Sequence, residues 1–231
     1  SSSTAASDTF TLTVSNTNDT PVVESAIADS GASEDSAYSY DTSSSFSDVD
    51  GDSLTYTAML SSGNALPSWL SISSTGTLSG TPANGDVGSI EVTVTATDSS
   101  SASASDTFAL TVSNTNDTPV VASALADATA TEGSGYSYDT SANFSDPDGD
   151  TLTYTATLSN GSALPSWLNI SSTGTLSGTP ANGDVGAIEV TVTAADSSSA
   201  TASDTFALTV TNTNDAAIII AADASTTKDV A

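Results

Sequence analysis

The chain of 231 residues carries 28 Asp and Glu against a single Lys or Arg, a formal net charge of −27 at pH 7. That balance excludes DNA, RNA and anionic lipid surfaces as partners, since each is held by cationic side chains. The absence of Cys and His removes disulfide staples, thiol chemistry and the usual ligands of zinc and copper.

In chain order, residues 1–20 read as the last strand and linker of a repeat, because they match Ser99 to Thr118 and alternate Phe10, Leu12 and Val14. Pro21 to Thr118 then returns almost unchanged as Pro119 to Ala216, 98 positions on. Such self-similarity sets the architecture before any single element does. Strands are predicted near 22–32, 36–46, 54–60, 70–73, 76–80, 89–97 and 106–113. In "LTYTAML", Leu54, Tyr56, Ala58 and Leu60 share one face; Ile90, Val92, Val94 and Ala96 share another, as do Phe108, Leu110 and Val112. Strict alternation with Thr outward marks half-buried antiparallel strands. Turn signals at Gly63-Asn64 and Asn84-Gly85 separate them. Seven short strands per unit predict an all-β chain of two tandem immunoglobulin-like seven-stranded sandwiches. The expected divisions are 1–20, the end of a preceding repeat; 21–118 and 119–215, the two repeats; and 216–231, a tail or the start of a following segment. The longest apolar run, Ala216 to Ala222, is too short to span a membrane, so no membrane insertion is expected.

The acids cluster at one place per repeat, "DVDGD" at Asp48–Asp52 and "DPDGD" at Asp146–Asp150. In a seven-stranded sandwich the B–C and F–G loops share one end. Asp48, Asp50 and Asp52 therefore meet Asp98 there, together with the linker residues Asn16, Asn18 and Asp19. The opposite end collects Glu34 and Asp86. End-to-end stacking would bring Glu34, Asp86, Asn114, Asn116, Asp117, Asp146, Asp148, Asp150 and Asp196 to one junction. Crowded carboxylates need a cation between them, and Lys228 is the only basic residue. Oxygen ligands in that number suit Ca2+, which takes about 6–8 of them, better than Mg2+, which keeps its waters. Partial sites are expected above the first repeat, from Asn16, Asn18, Asp19, Asp48, Asp50, Asp52 and Asp98, and below the second, from Glu132 and Asp215. An EF-hand does not fit, because the positions of its Gly and Glu are Ser53 and Met59.

"DVDGDSLTY" and "DPDGDTLTY", "LPSWLSISSTGTLSGTP" and "LPSWLNISSTGTLSGTP", "VTVTATDSS" and "VTVTAADSS", and the "SNTNDTP" linkers resemble bacterial cadherin-like domains of the dystroglycan (CADG) type over nearly the whole chain. The resemblance implies a rod of cadherin-like sandwiches with Ca2+ at Glu34, Asn114, Asn116, Asp117, Asp146, Asp148 and Asp196. The acidic segment that cadherins place before strand F is replaced by "SGTP" at Ser79–Pro82. The resemblance further implies a secreted or cell-surface location and Ca2+-dependent protein–protein adhesion to other cadherin-like domains, homophilic or heterophilic. Non-catalytic binding of complex polysaccharide and a passive salt-tolerant spacer are the alternatives.

Trp69 and Trp167 read as packed aromatics near a strand start, with sugar stacking the less favoured role. Tyr38 and Tyr40, like Tyr136 and Tyr138, share one side of a strand and read as packing residues. Asp8, Asp106 and Asp204 read as turn caps before strand G, and the Ser-rich stretches 99–105 and 197–203 as hairpin loops. Without His, Cys or Arg the usual nucleophile–base pairs cannot be assembled, so no catalysis is expected.

Overall fold

The computed structural model describes residue 1 and residues 3–214. It is all-β apart from single 3-10 turns, and the chain divides into two compact units, one ending at Thr115 and the other beginning at Asn116.

In the first unit, β1 (Val22–Val23) pairs antiparallel with β4 (Phe46–Ser47). The chain then bends, and β2 (Ser30–Ser33) runs parallel to β9 (Ser103–Ser113), with Ala32 opposite Val112. Next to β9 lie β8 (Gly88–Thr97) and then β5 (Thr55–Leu60), both antiparallel to their neighbours, giving the order β2-β9-β8-β5. The second layer is β3 (Tyr38–Asp41), β7 (Thr77–Gly80) and β6 (Leu70–Ile72), in the order β3-β7-β6. Alternation dictates this packing. On β8 the side chains of Val92, Val94 and Ala96 are fully buried, while Thr93, Thr95 and Thr97 between them face outward. Phe108, Leu110 and Leu78 close the core, and edge-to-face pairs Tyr40–Phe108 (5.6 Å) and Phe46–Tyr56 (5.9 Å) fill it.

The second unit repeats this plan with β10 (Val120–Val121), β11 (Ala128–Thr131), β12 (Tyr136–Asp139), β13 (Phe144–Ser145), β14 (Thr153–Leu158), β15 (Leu168–Ile170), β16 (Thr175–Gly178), β17 (Gly186–Ala195) and β18 (Thr201–Thr211). Its sheets run β11-β18-β17-β14 and β12-β16-β15.

Four sequence expectations change. The first strand, read as one run over 22–32, is two short strands in different sheets. The second, read over 36–46, is likewise divided between β3 and β4, in different sheets. Asp106 and Asp204 are not turn caps: each sits inside the last strand, on the inward face two residues before Phe108 or Phe206. Asp106 Oδ2 accepts the Ile27 N–H at 2.7 Å, while Asp29 Oδ1 accepts the Ala109 N–H at 2.9 Å. The pair ties the bend between β1 and β2 to β9, satisfying backbone donors that the bend leaves without a ladder. Asp204 with Leu125 (2.6 Å) and Asp127 with Ala207 (2.9 Å) do the same in the second unit. Lastly, β9 begins at Ser103 and β18 at Thr201, so the Ser-rich loops are shorter than read.

Residues 3–20 form no strand, and Phe10, Leu12 and Val14 are 88%, 76% and 86% exposed. The expected tail 216–231 lies outside the described residues.

Candidate metal centre

Each unit gathers carboxylates at one end through its own turns. After β4 the chain folds back with the Gly51 N–H donating to the Asp48 carbonyl at 3.1 Å, and Gly51 takes the left-handed φ of +73° that glycine tolerates. Asp48 Oδ1 accepts the N–H groups of Asp50 (2.9 Å) and Asp52 (3.5 Å). Its other oxygen, Oδ2, is buried and has no hydrogen-bond partner. After β8, Asp98 organises the hairpin turn in the same manner. Its Oδ1 accepts the N–H groups of Ser100 and Ala102, both at 2.8 Å.

The preceding linker is fastened onto these two loops. Asn16 Nδ2 donates to Asp50 Oδ1 at 2.7 Å, the Asp19 N–H donates to Asp50 Oδ2 at 2.7 Å, and Asn18 Nδ2 donates to Asp98 Oδ2 at 3.0 Å. The Asp19 N–H and then the Asn16 amide hold the Asp50 carboxyl below the usual carboxylate range. Asp98 is lowered as well, chiefly by Asn18. Hydrogen bonds to the charged form explain both directions.

The second unit builds the same arrangement. Asp146 Oδ1 accepts the N–H groups of Asp148 (2.9 Å) and Asp150 (3.3 Å), and Asp146 Oδ2 is buried without a partner. Asp196 Oδ1 accepts from Ser198 and Ala200, and its Oδ2 accepts from Asn116 Nδ2 at 2.9 Å, which heads the causes of its lowered pKa. The Asp117 N–H donates to Asp148 Oδ2 at 2.7 Å, and Ser197 Oγ donates to Asp150 Oδ2 at 3.0 Å.

At the far end of the first unit, Glu34 is wholly buried. Its Oε1 accepts the Thr115 N–H at 2.7 Å and its Oε2 has no partner. Glu132, 6% exposed, accepts the Thr213 N–H through Oε2 at 3.4 Å. Asn114 directly follows β9. Asp86 is committed to its own turn, where Oδ2 accepts the Ala83 N–H at 3.0 Å. Asp215 lies outside the described residues.

Among the described residues, three carboxylate oxygens are thus buried without a donor, at Glu34, Asp48 and Asp146. A buried, unpartnered anionic oxygen is costly. The residue types fit a hard cation: acids and Asn side chains make up these loops and linkers, and no Lys, Arg or His is present among the described residues. The Asp29–Asp106 pair and its repeat, which hold the bend to the last strand, were not found by the motif reading. Their sequence signal was the phase of Asp106, two residues before Phe108.

A family model described as "Putative Ig domain" matches residues 20–113 and 118–211. The chain therefore belongs to that family, in two tandem copies. Among solved structures, human mucin-like protocadherin EC1-2 aligns with a TM-score of 0.56 at 15% identity, over 82% of this chain and 98% of that one. Human CDH23 EC21-23 aligns at 0.51 and 18% identity, over 80% and 67%. Both likenesses are of fold, and the fold is cadherin-like. An endo-fucoidan hydrolase of glycoside hydrolase family 107, MfFcnA4, is 28% identical in its H294Q form with a TM-score of 0.38. The chain spans 84% of its own length in that alignment and 29% of the hydrolase's. A search of curated proteins returned no match.

Proposed function

We propose that the chain is a Ca2+-binding, cadherin-like adhesion module of a secreted or cell-surface bacterial protein, of the dystroglycan type. The observation that carries the reading is the unpartnered, buried Oδ2 of Asp48 and of Asp146, each set among further acids. A solvated acidic turn would leave such oxygens facing water. Ca2+ would supply the missing positive charge, with Asp48, Asp50, Asp52, Asp98, Asn16, Asn18 and Asp19 as the candidate oxygen set of the first unit. Asn114, Asn116, Asp117, Asp146, Asp148, Asp150 and Asp196 are the set around the linker between repeats. Glu34 and Asp86 are the upstream contributors to that set, and Glu132 and Asp215 their counterparts further on.

Successive linker residues are anchored in turn, Thr115 by Glu34, Asn116 by Asp196 and Asp117 by Asp148. Ca2+ held beside these acids would tie the linker down and fix the presented surface. The partners are other cadherin-like domains.

Thermal melts and small-angle scattering in EDTA and then in millimolar Ca2+ test this. Extracellular Ca2+ modules bind with Kd of about 10⁻⁴–10⁻³ M. A ligand at 100 times its Kd adds about 2.7 kcal/mol, so Tm rises and the scattering profile sharpens. Asp148→Ala removes the change in shape. An equal response to Na+ or Mg2+ would instead make the acids simply screened.

A further inference from the structure

Trp69 and Trp167 are the only tryptophans of the chain. Each indole is clamped yet partly open. Its edge meets Tyr38 at 6.3 Å and 74°, or Tyr136 at 6.4 Å and 75°. It also lies against Gly80 or Gly178, where even a methyl group would come within about 3 Å of indole Cε3. Neither ring is buried, although both pack on the core.

The open side borders a pocket of about 250 Å3 lined by Pro67, Trp69, Asp86, Val87, Gly88 and Ile90. The second unit has its counterpart of about 260 Å3, with Pro165, Trp167, Asp184, Val185, Gly186 and Ile188. At the rim, Gly85 and Gly88 leave their backbone uncovered, with nothing within 4 Å of where a Cβ would be. Val87 is 41% exposed beside them. The Asp86 carboxylate gives Oδ2 to its own turn, and one oxygen remains to accept a further hydrogen bond.

We propose that this pocket is a carbohydrate subsite, one per repeat, that takes a single neutral pyranose ring of a polysaccharide. A pyranose with equatorial hydroxyls has a C–H face and a hydroxyl rim. The clamped indole, with Pro67 and Ile90, offers the matching apolar wall, and Asp86 with the bare loop backbone offers the polar edge. A rigid aromatic contributes contact area at little entropic cost. The volume lies below the roughly 300 Å3 where drug-sized pockets begin, which suits one ring. Charge selects among sugars: with −27 overall and no cation among the described residues, a sulfated or uronic ring would meet only like charge. The subsite gives the polysaccharide alternative a place in the fold. Its apolar wall and bare loop backbone stand apart from the calcium reading, which shares only Asp86 with it.

Because the pockets hold the only tryptophans, indole emission reports on them alone. The intact chain is titrated with cellohexaose, mannohexaose and a linear galactan, with N-acetylarginine amide and dextran sulfate as controls, each in EDTA and in Ca2+. The expected result is a saturable emission change with at least one neutral glycan at millimolar concentration, present in EDTA as well as in Ca2+. The double variant Val87→Arg/Val185→Arg, which fills both mouths without touching the core, should lose it while keeping its circular dichroism. Three outcomes overturn the proposal: silence with all three neutral glycans, a response only to the arginine amide or to dextran sulfate, or a response unchanged in the double variant.

Discussion

A single substitution between the repeats makes a controlled test of buried polarity. Tyr38 donates its hydroxyl to Ser30 Oγ at 3.1 Å. The residue corresponding to Ser30 in the second unit is Ala128, and there the Tyr136 hydroxyl is buried with no partner. Burial pushes the Tyr136 phenol up to about 12, and Tyr38 is raised as well, again mainly by burial. A made hydrogen bond contributes about 0.5–1.5 kcal/mol net, whereas a buried orphan costs about 1–3 kcal/mol. Tyr38→Phe should therefore destabilise the first unit by about 1 kcal/mol, while Tyr136→Phe should leave the second unchanged or stabilise it by a similar amount. Ala128→Ser should stabilise the second unit by supplying the acceptor. A change of about 1 kcal/mol moves Tm by roughly 4–8 °C in domains of this size. Trp69 and Trp167 lie beside the two tyrosines, so replacing one tryptophan by Phe in the reference protein lets fluorescence follow the other unit alone. The phenol also gives a pH signature. Since its folded pKa is raised, its contribution to stability is complete below the unfolded value near 10 and is lost as pH climbs toward 12. Equal losses from Tyr38→Phe and Tyr136→Phe would refute the reasoning, because the Tyr136 hydroxyl would then have a partner.

Other outcomes follow from local geometry. A Cβ at Gly178 would overlap the Trp167 carbonyl oxygen, so Gly178→Ala should cost about 4 kcal/mol or more; Gly183→Ala, in open space, should be near neutral in the same urea titration. Asp204→Ala leaves the Leu125 N–H without its acceptor and should cost about 1–3 kcal/mol, read by urea unfolding and by faster amide exchange at Leu125. Asp41 and Asp139 are held below the usual carboxylate range by the N–H groups of Ser43 and Ser141. Their contribution is present above the ordinary Asp value and lost as pH falls through the lowered one; carboxyl NMR titration should place both midpoints below the ordinary Asp value of about 3.9.

The strands from Thr55 to Leu60 and from Gly88 onward were legible because each residue's burial follows its parity. The bend between β1 and β2 was not, since two-residue strands leave no period to read and their pairing is set by β4 and β9, far along the chain. Asp106 was visible by phase but misread by composition: an acid beside serines suggests a turn, whereas its inward position marked a half-buried acceptor. For the acids at the loops, spacing suggested which would crowd together. It could not say that Asp48 and Asp146 would each spend one oxygen on the backbone and keep the other covered.

The outer face of β8 and β9 carries a ladder of hydroxyl pairs beside the exposed Glu91. Thr93 meets Thr107 and Thr95 meets Ser105, each pair at 2.8 Å, and Thr191 with Thr205 and Thr193 with Ser203 repeat the pattern. Neutral pairs of this kind have no ionic atmosphere to lose and no proton to exchange in the physiological range. These hydroxyl rungs therefore stay indifferent to salt and acidity, whereas the carboxylates on the strands and in the loops around them do not. In each sandwich the long hairpin is thus laced by neutral rungs, and any answer to ions or protons is left to the acids placed around them.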